Sequence, residues 1–132
     1  MPLQVDLVSP ERTLLSVEAS MVVARTLGGG EIAFLPGHAP FIGALDHHEL
    51  RITLTDGTVE SAAVHGGFIE VSNDRVKILS DQAELASQID VERARAALAR
   101  AEEALRREHD AEVEAALKRA HTRLLTAGVP VS

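Results

Sequence analysis

The stretch QIDVERARAALARAEEALRREHDAEVEAALKRAHTRLLTAG, residues 88–128, decides the fold. It is rich in Ala, Glu, Arg and Leu, all strong helix formers. Val91, Ala94, Leu98, Ala101 and Leu105 fall on one apolar stripe at helical spacing, and Val113, Leu117, Ala120 and Leu124 on a second. The apolar register breaks between them, around His109–Asp110. Ser87 to Asp90 fits the capping-box spacing loosely, and Asp90 is itself suited to cap the first turn. Gly128 and Pro130 end the second helix. The pattern predicts a helical hairpin over residues 87–132, held mostly by alanine. A buried large aliphatic side chain contributes ~1.5–3 kcal/mol, and alanine offers a single methyl, so the pair is marginal alone and suited to movement.

Upstream, over residues 3–86, the period shortens. LQVDLV, TLLSVEA, SMVVART, EIAFL, FIGAL, LRITL, TVESAAV, GFIEVS and RVKILS read as short strands, separated by turn signals such as Asp56–Gly57, Gly66–Gly67 and Ser72–Asn73–Asp74. RITL-TDG-TVES and FIEV-SND-RVKIL read as hairpins. The class expected is α+β: an N-terminal antiparallel β-sandwich over residues 1–86, then the C-terminal α-helical hairpin.

Charge divides at the same boundary. Residues 1–89 carry 12 acidic and 5 basic side chains, whereas residues 90–132 carry 8 of each, so the whole net charge of −7 belongs to the strands. An acidic chain with three Phe, no Trp and no Tyr is poorly suited to nucleic acid, which calls for a basic field and stacking rings. Without cysteine there is no disulfide, thiol nucleophile or Cys-based zinc site. MPLQVDLVSP lacks the pattern of a signal peptide, and no apolar run approaches the ~18 residues of a membrane span. A soluble protein is expected, linked to a membrane through partners alone.

GGGEIAFLPGHAP, residues 28–40, raises the question of a ligand loop. Gly28–Ala33 formally matches G-x-G-x-x-G/A, a fingerprint that works by opening a helix onto a pyrophosphate. Pro36 and Pro40 argue against that helix, and no Gly-Lys-Ser/Thr follows for a phosphate loop. His38, His47, His48 and His65 raise the alternative of a metal-dependent β-barrel enzyme, but adjacent His47 and His48 on a strand point to opposite faces. The histidines are read as surface or turn residues, His38 standing out for its ordered turn beside Phe41 and Ile42. Glu31 and Asp46 are no convincing catalytic pair. Arg119 and Arg123 lie one turn apart, either as plain helix-supporting residues or as a clamp for a carboxylate or phosphate.

VDLVSPERTLLS, GGGEIAFLPGHAPFIGAL, HGGFIEVSNDRVKILSDQAE and IDVERARAALARAEEAL, in this order, closely resemble the epsilon subunit of bacterial and chloroplast F-type ATP synthases across nearly the whole chain. The resemblance implies a non-catalytic rotor subunit of the central stalk that needs no cofactor. Its sandwich would bind the gamma subunit and rest on the ring of c subunits, with Glu31, His38 and Phe41 on the docking lip. Its hairpin would be a mobile brake on ATP hydrolysis: permissive when folded on the sandwich, inhibitory when extended, with Lys118, Arg119 and Arg123 meeting the catalytic beta (and alpha) subunits. Some bacterial members also bind ATP as a regulatory ligand in the folded hairpin, and the matching residues here are Glu84, Ile89, Asp90, Arg93, Ala94, Arg119 and Arg123. An ATP-sensing module with little inhibitory action is the alternative. The implied location is peripheral, on the cytoplasmic face of a bacterial membrane or the stromal face of a thylakoid.

Overall fold

A computed structural model describes residues 1–129; the expected part of Pro130 in ending the second helix lies outside them. Seven strands, β1 (Leu3–Val8), β2 (Thr13–Thr26), β3 (Gly30–Phe34), β4 (Phe41–Leu54), β5 (Val59–Ser72), β6 (Arg75–Leu79) and β7 (Ala83–Leu85), are followed by a 3-10 turn, Ala86–Gln88. Helices α1 (Val91–Arg107) and α2 (Ala111–Thr126) complete the chain, giving the expected α+β order.

Three pairs of runs that read as separate strands are single long ones. TLLSVEA and SMVVART form β2, FIGAL and LRITL form β4, and TVESAAV and GFIEVS form β5. The Gly66–Gly67 signal marks a bend where a turn was expected. With φ of 88° and 120° these residues kink β5 while it stays paired with β4 on both sides. A Cβ on Gly67 would lie 2.1 Å from the Leu79 carbonyl oxygen, so the kink brings β5 hard against β6.

The ladder runs β1-β6-β5-β4-β2-β3, and β1 also pairs with β2, so the sheet closes on itself as a flattened barrel. The pairings are antiparallel, as expected of the sandwich, apart from β1–β6, which is parallel. These two strands are distant in the chain and need no hairpin between them, which is the condition for parallel neighbours. The two expected hairpins are present. Leu54 N–H donates to Thr58 O at 2.8 Å across the Asp56–Gly57 turn, and Asn73 and Asp74, with φ of 51° and 59°, form the two-residue turn between β5 and β6.

Alternation along the strands builds the core. Leu3, Val5 and Leu7 of β1 point inward with Val22, Phe34, Leu50, Ile52, Ile69, Val71, Val76 and Ile78, all essentially without solvent exposure. Each such aliphatic side chain contributes ~1.5–3 kcal/mol, so the sandwich has a core independent of the helices.

Asp90 Oδ1 accepts from Arg93 N–H at 3.1 Å and Asp110 Oδ1 from Val113 N–H at 2.9 Å, so an aspartate caps each helix. Ser87 belongs to the 3-10 turn instead. At the far end Gly128, with φ of 80°, lets Val129 N–H reach Leu124 O and Gly128 N–H reach Leu125 O, the paired bonds of a Schellman stop. Helix α1 packs on α2, and α2 packs on β4 and β5. Ala120 and Leu124 are buried on one side of α2, and Thr122 and Thr126 on the opposite side.

Candidate functional site

The hairpin meets the sandwich through a small set of polar side chains. Glu84 on β7 accepts the Arg123 Nε–H of α2 at 2.5 Å on Oε1, and the same oxygen lies 3.4 Å from His65 Nε2 on β5. The first is a charge-assisted bond between two side chains about one third exposed. His65 is fully enclosed, which corrects the reading of it as a surface or turn histidine. Ala62 and Val64 of the same strand point into the barrel core, and Ala63 and His65 are buried on the opposite face. Burial pushes the His65 imidazole down to about 4, and Arg123 adds to this, while the hydrogen bond and charge of Glu84 work against it.

Beside this contact lies a cavity of about 320 Å³ lined by Glu84, Gln88, Asp90, Arg93, Ala94, Ala97, Arg100 and Arg123. Of the residues matched for nucleotide binding, Glu84, Asp90, Arg93, Ala94 and Arg123 thus come together. Ile89 is adjacent in the chain, its N–H given to Ala86 O. Arg119 is not on the wall; it reaches along α2 to Glu112 at 2.9 Å. Arg119 and Arg123 hold different carboxylates and do not form one clamp.

Arg100, Ala97 and Gln88 escaped the motif comparison. Ala97 and Arg100 follow Arg93 by four and seven residues, so helical spacing alone puts all three on one face. Arg95, Arg106 and Arg107 of α1 each pair with a carboxylate, whereas Arg93 and Arg100 have no ion pair among the described residues. Arg93 and Arg100, together with Arg123 held by Glu84, give this cavity a cationic wall suited to an anionic ligand, with Glu84 and Asp90 as its acidic members.

A second cleft, between β4 and α2, is lined by Asp46, His47, His48, Lys118, His121, Thr122 and Leu125. The His47 imidazole is lowered by burial first and then by Lys118 and Arg119, against Asp46. His48 leaves the strand on the side of Glu31, 4.0 Å away. Burial lowers His48 first, then Arg25, with Arg51 adding and Glu31 and Glu49 opposing.

The 28–40 stretch is a turn and an edge strand. Thr26 and Gly30 pair across three residues, β3 follows, and no helix opens there. Glu31 is the second residue of β3 and holds Arg51 at 3.3 Å. Past its end, Gly37 N–H donates to Asp74 Oδ1 at 2.7 Å, and His38 Nδ1–H to Ala39 O at 2.7 Å. The His38 ring packs edge-on against buried Phe34 with centroids 4.9 Å apart, and Phe41 joins Phe34 at 5.3 Å. The lip is therefore a rigid turn anchored on the core. Next to it Ile42, Phe68 and Leu79 are 71%, 59% and 45% exposed, and the register puts Ala44, Phe68 and Leu79 in one row. Outward-facing apolar residues clustered like this mark a contact surface, one that the sequence reading missed.

Comparison with known proteins agrees with this architecture in both halves. Residues 2–86 match the family described as ATP synthase, Delta/Epsilon chain, beta-sandwich domain, and residues 87–128 match its long alpha-helix domain. The ATP synthase epsilon chain of Thermobifida fusca is 50% identical over 129 residues, spanning 93% of this chain and 90% of that one. That of Geotalea daltonii is 43% identical over 131 residues, spanning 96% and 94%. Among solved structures, a chain of the Euglena gracilis mitochondrial ATP synthase OSCP/F1/c-ring assembly superposes with a TM-score of 0.82 at 24% identity, over 96% of this chain and 81% of that one, and so shares the fold. With both halves matched and the relatives aligned almost end to end, the chain belongs to the delta/epsilon-chain family of ATP synthases, alongside proteins named epsilon chain.

Proposed function

We propose that this chain is a non-catalytic central-stalk subunit of an F-type ATP synthase, and that its hairpin is a brake held here in the permissive position. The sandwich would join the gamma subunit through its outward apolar row and meet the c-ring through Glu31, His38 and Phe41 on the anchored lip. Released from the sandwich, α2 would carry Lys118, Arg119 and Arg123 to acidic surfaces of the beta and alpha subunits and slow ATP hydrolysis. The chain would be peripheral to the membrane; among the described residues no helix is long and apolar enough to cross one.

The observation that carries this reading is how α2 is attached. Its sandwich side is mostly polar, with Lys118, His121, Thr122, Thr126 and Arg123 beside a single large apolar group, Leu125, and among the described residues the Glu84–Arg123 pair is the direct ionic link to the strands. Such a contact can be exchanged for another without disturbing the core. The test is ATP hydrolysis by the assembled enzyme, with α2 either tethered to β4 by an engineered disulfide or deleted after Gln88. Both forms should hydrolyse faster than the native enzyme, and unchanged rates would count against the brake.

A sensor reading is favoured by the cavity of Glu84, Arg93, Arg100 and Arg123. ATP would be the regulatory ligand there, bridging β7, α1 and α2 and so binding the folded hairpin alone.

A further inference from the structure

His47 on β4 stands directly opposite His65 on β5, with ring centroids 5.8 Å apart, beneath the helix that attaches the hairpin. Every element around the pair contributes charge. From α2, Lys118 and Arg119 act on His47, Arg123 acts on His65, and His121 lines the cleft that holds His47; from β7, Glu84 faces His65; from β4, Asp46 and His48 neighbour His47. Three cations thus lie over two imidazoles, and the carboxylate nearest to His65 is already engaged by Arg123.

The hydrogen bonding of His65 suits the neutral ring. Its Nε2–H has Glu84 as acceptor, and its Nδ1 is buried with no partner. A bare Nδ1 lone pair is a modest loss. Protonation would turn it into an N–H donor with nothing to receive it, and add a positive charge under Arg123. The Nδ1 of His47 is buried and unpartnered as well.

We propose that the His47–His65 pair is an acid-sensitive latch, which when neutral lets α2 lie on β4 and β5 and when protonated drives the hairpin off the sandwich. The latch rests on the reading above that the hairpin has a second position. It makes the brake responsive to local acidity independently of any nucleotide.

The direction follows from proton counting. Docked, His65 titrates at about 4; released into water, it returns to its ordinary value near 6.5. Between those values the released state binds more protons. Docking is therefore at full strength above pH ~6.5, weakens as the pH falls toward ~4, and changes no further below that. From pH 7.5 to pH 5.5 the docking equilibrium should shift about tenfold toward release on account of His65. His47, also lowered, contributes in the same direction.

The absence of cysteine allows a direct test. Cysteines replacing exposed Glu60 and Glu114 in the full chain would carry a fluorescent donor and acceptor, read from pH 8 to pH 4.5 while circular dichroism follows the strands. The dyes should separate on acidification with the strands intact, and His65→Gln should flatten most of the curve. Release with an unchanged profile in His65→Gln would assign the effect to another group and overturn the latch, as would no release above pH 5. Imidazole proton resonances of the native chain give a second readout that needs no variant. His65 should titrate in step with release, and titration near 6.5 with the hairpin still docked would sink the idea. If the hairpin leaves with acid while tethering it has no effect on hydrolysis, the latch stands and the brake falls.

Discussion

Arg123 of α2 and Glu84 of β7 share a hydrogen bond of 2.5 Å that ties the last helix to the last strand. Removing one partner leaves the other about one third exposed and able to rehydrate, so the loss is moderate. Arg123→Ala should weaken docking by about 1 kcal/mol, close to fivefold. Glu84→Gln should cost less, because the amide oxygen still accepts from the guanidinium. Hydrogen exchange of the α2 amides measures both, and protection equal to native in Arg123→Ala would remove the pair from the docking energy.

Nucleotide binding should follow the cavity wall more closely than the motif. Arg93→Ala and Arg100→Ala should each weaken ATP binding at least tenfold, the scale of one lost hydrogen bond to a charged group, about 1.5–3 kcal/mol. Arg119→Ala should change it by less than about threefold, since that side chain pairs with Glu112. Calorimetric titration of the isolated chain decides it, and equal losses at Arg93 and Arg119 would move the ligand elsewhere.

Ala120 is fully buried on α2, so a larger side chain there must displace its neighbours. Ala120→Leu should cost about 1–3 kcal/mol, all of it within the hairpin. Thermal unfolding should then split, the helices melting early and the strands near their native temperature. A single lowered transition would show that hairpin and sandwich unfold together.

Gly67→Ala should be the most damaging single-methyl change among the glycines. It combines φ of 120° with a contact of 2.1 Å to a backbone oxygen, and backbone cannot swing aside. A loss of at least about 3 kcal/mol is expected in a urea melt. Gly28→Ala, where nothing lies within 4 Å, should cost about 1 kcal/mol of backbone strain.

The helices were legible because the apolar period changes near residue 87 and aspartates precede each helical run. The strands were legible one by one, yet their joins were not. Gly66–Gly67 has the composition of a turn, and the pairing of β5 with β4 on both sides that makes it a bend is invisible along the chain. The cavity residues Glu84, Asp90, Arg93, Ala94 and Arg123 came from the family motif, while Arg100 was available from helix spacing alone. His65 was missed because histidine counts as polar, although the run Ala62-Ala-Val-His65 lacks the alternation of a half-exposed strand and signals burial on both faces. The second buried side of α2 was missed for a related reason: it is made of threonines, and no apolar stripe reports it.

The parallel pairing of β1 with β6 has a consequence for biosynthesis. Strand β1 can pair with β2 as soon as residues 13–19 leave the ribosome, but its other edge has no partner until residues 75–79 follow. At about 5–20 residues per second, that edge waits several seconds. All partners needed to close the ring have then been synthesised, ahead of the helices. On that order the hairpin is laid onto a scaffold whose own core is already complete, in keeping with a sandwich core that excludes the helices.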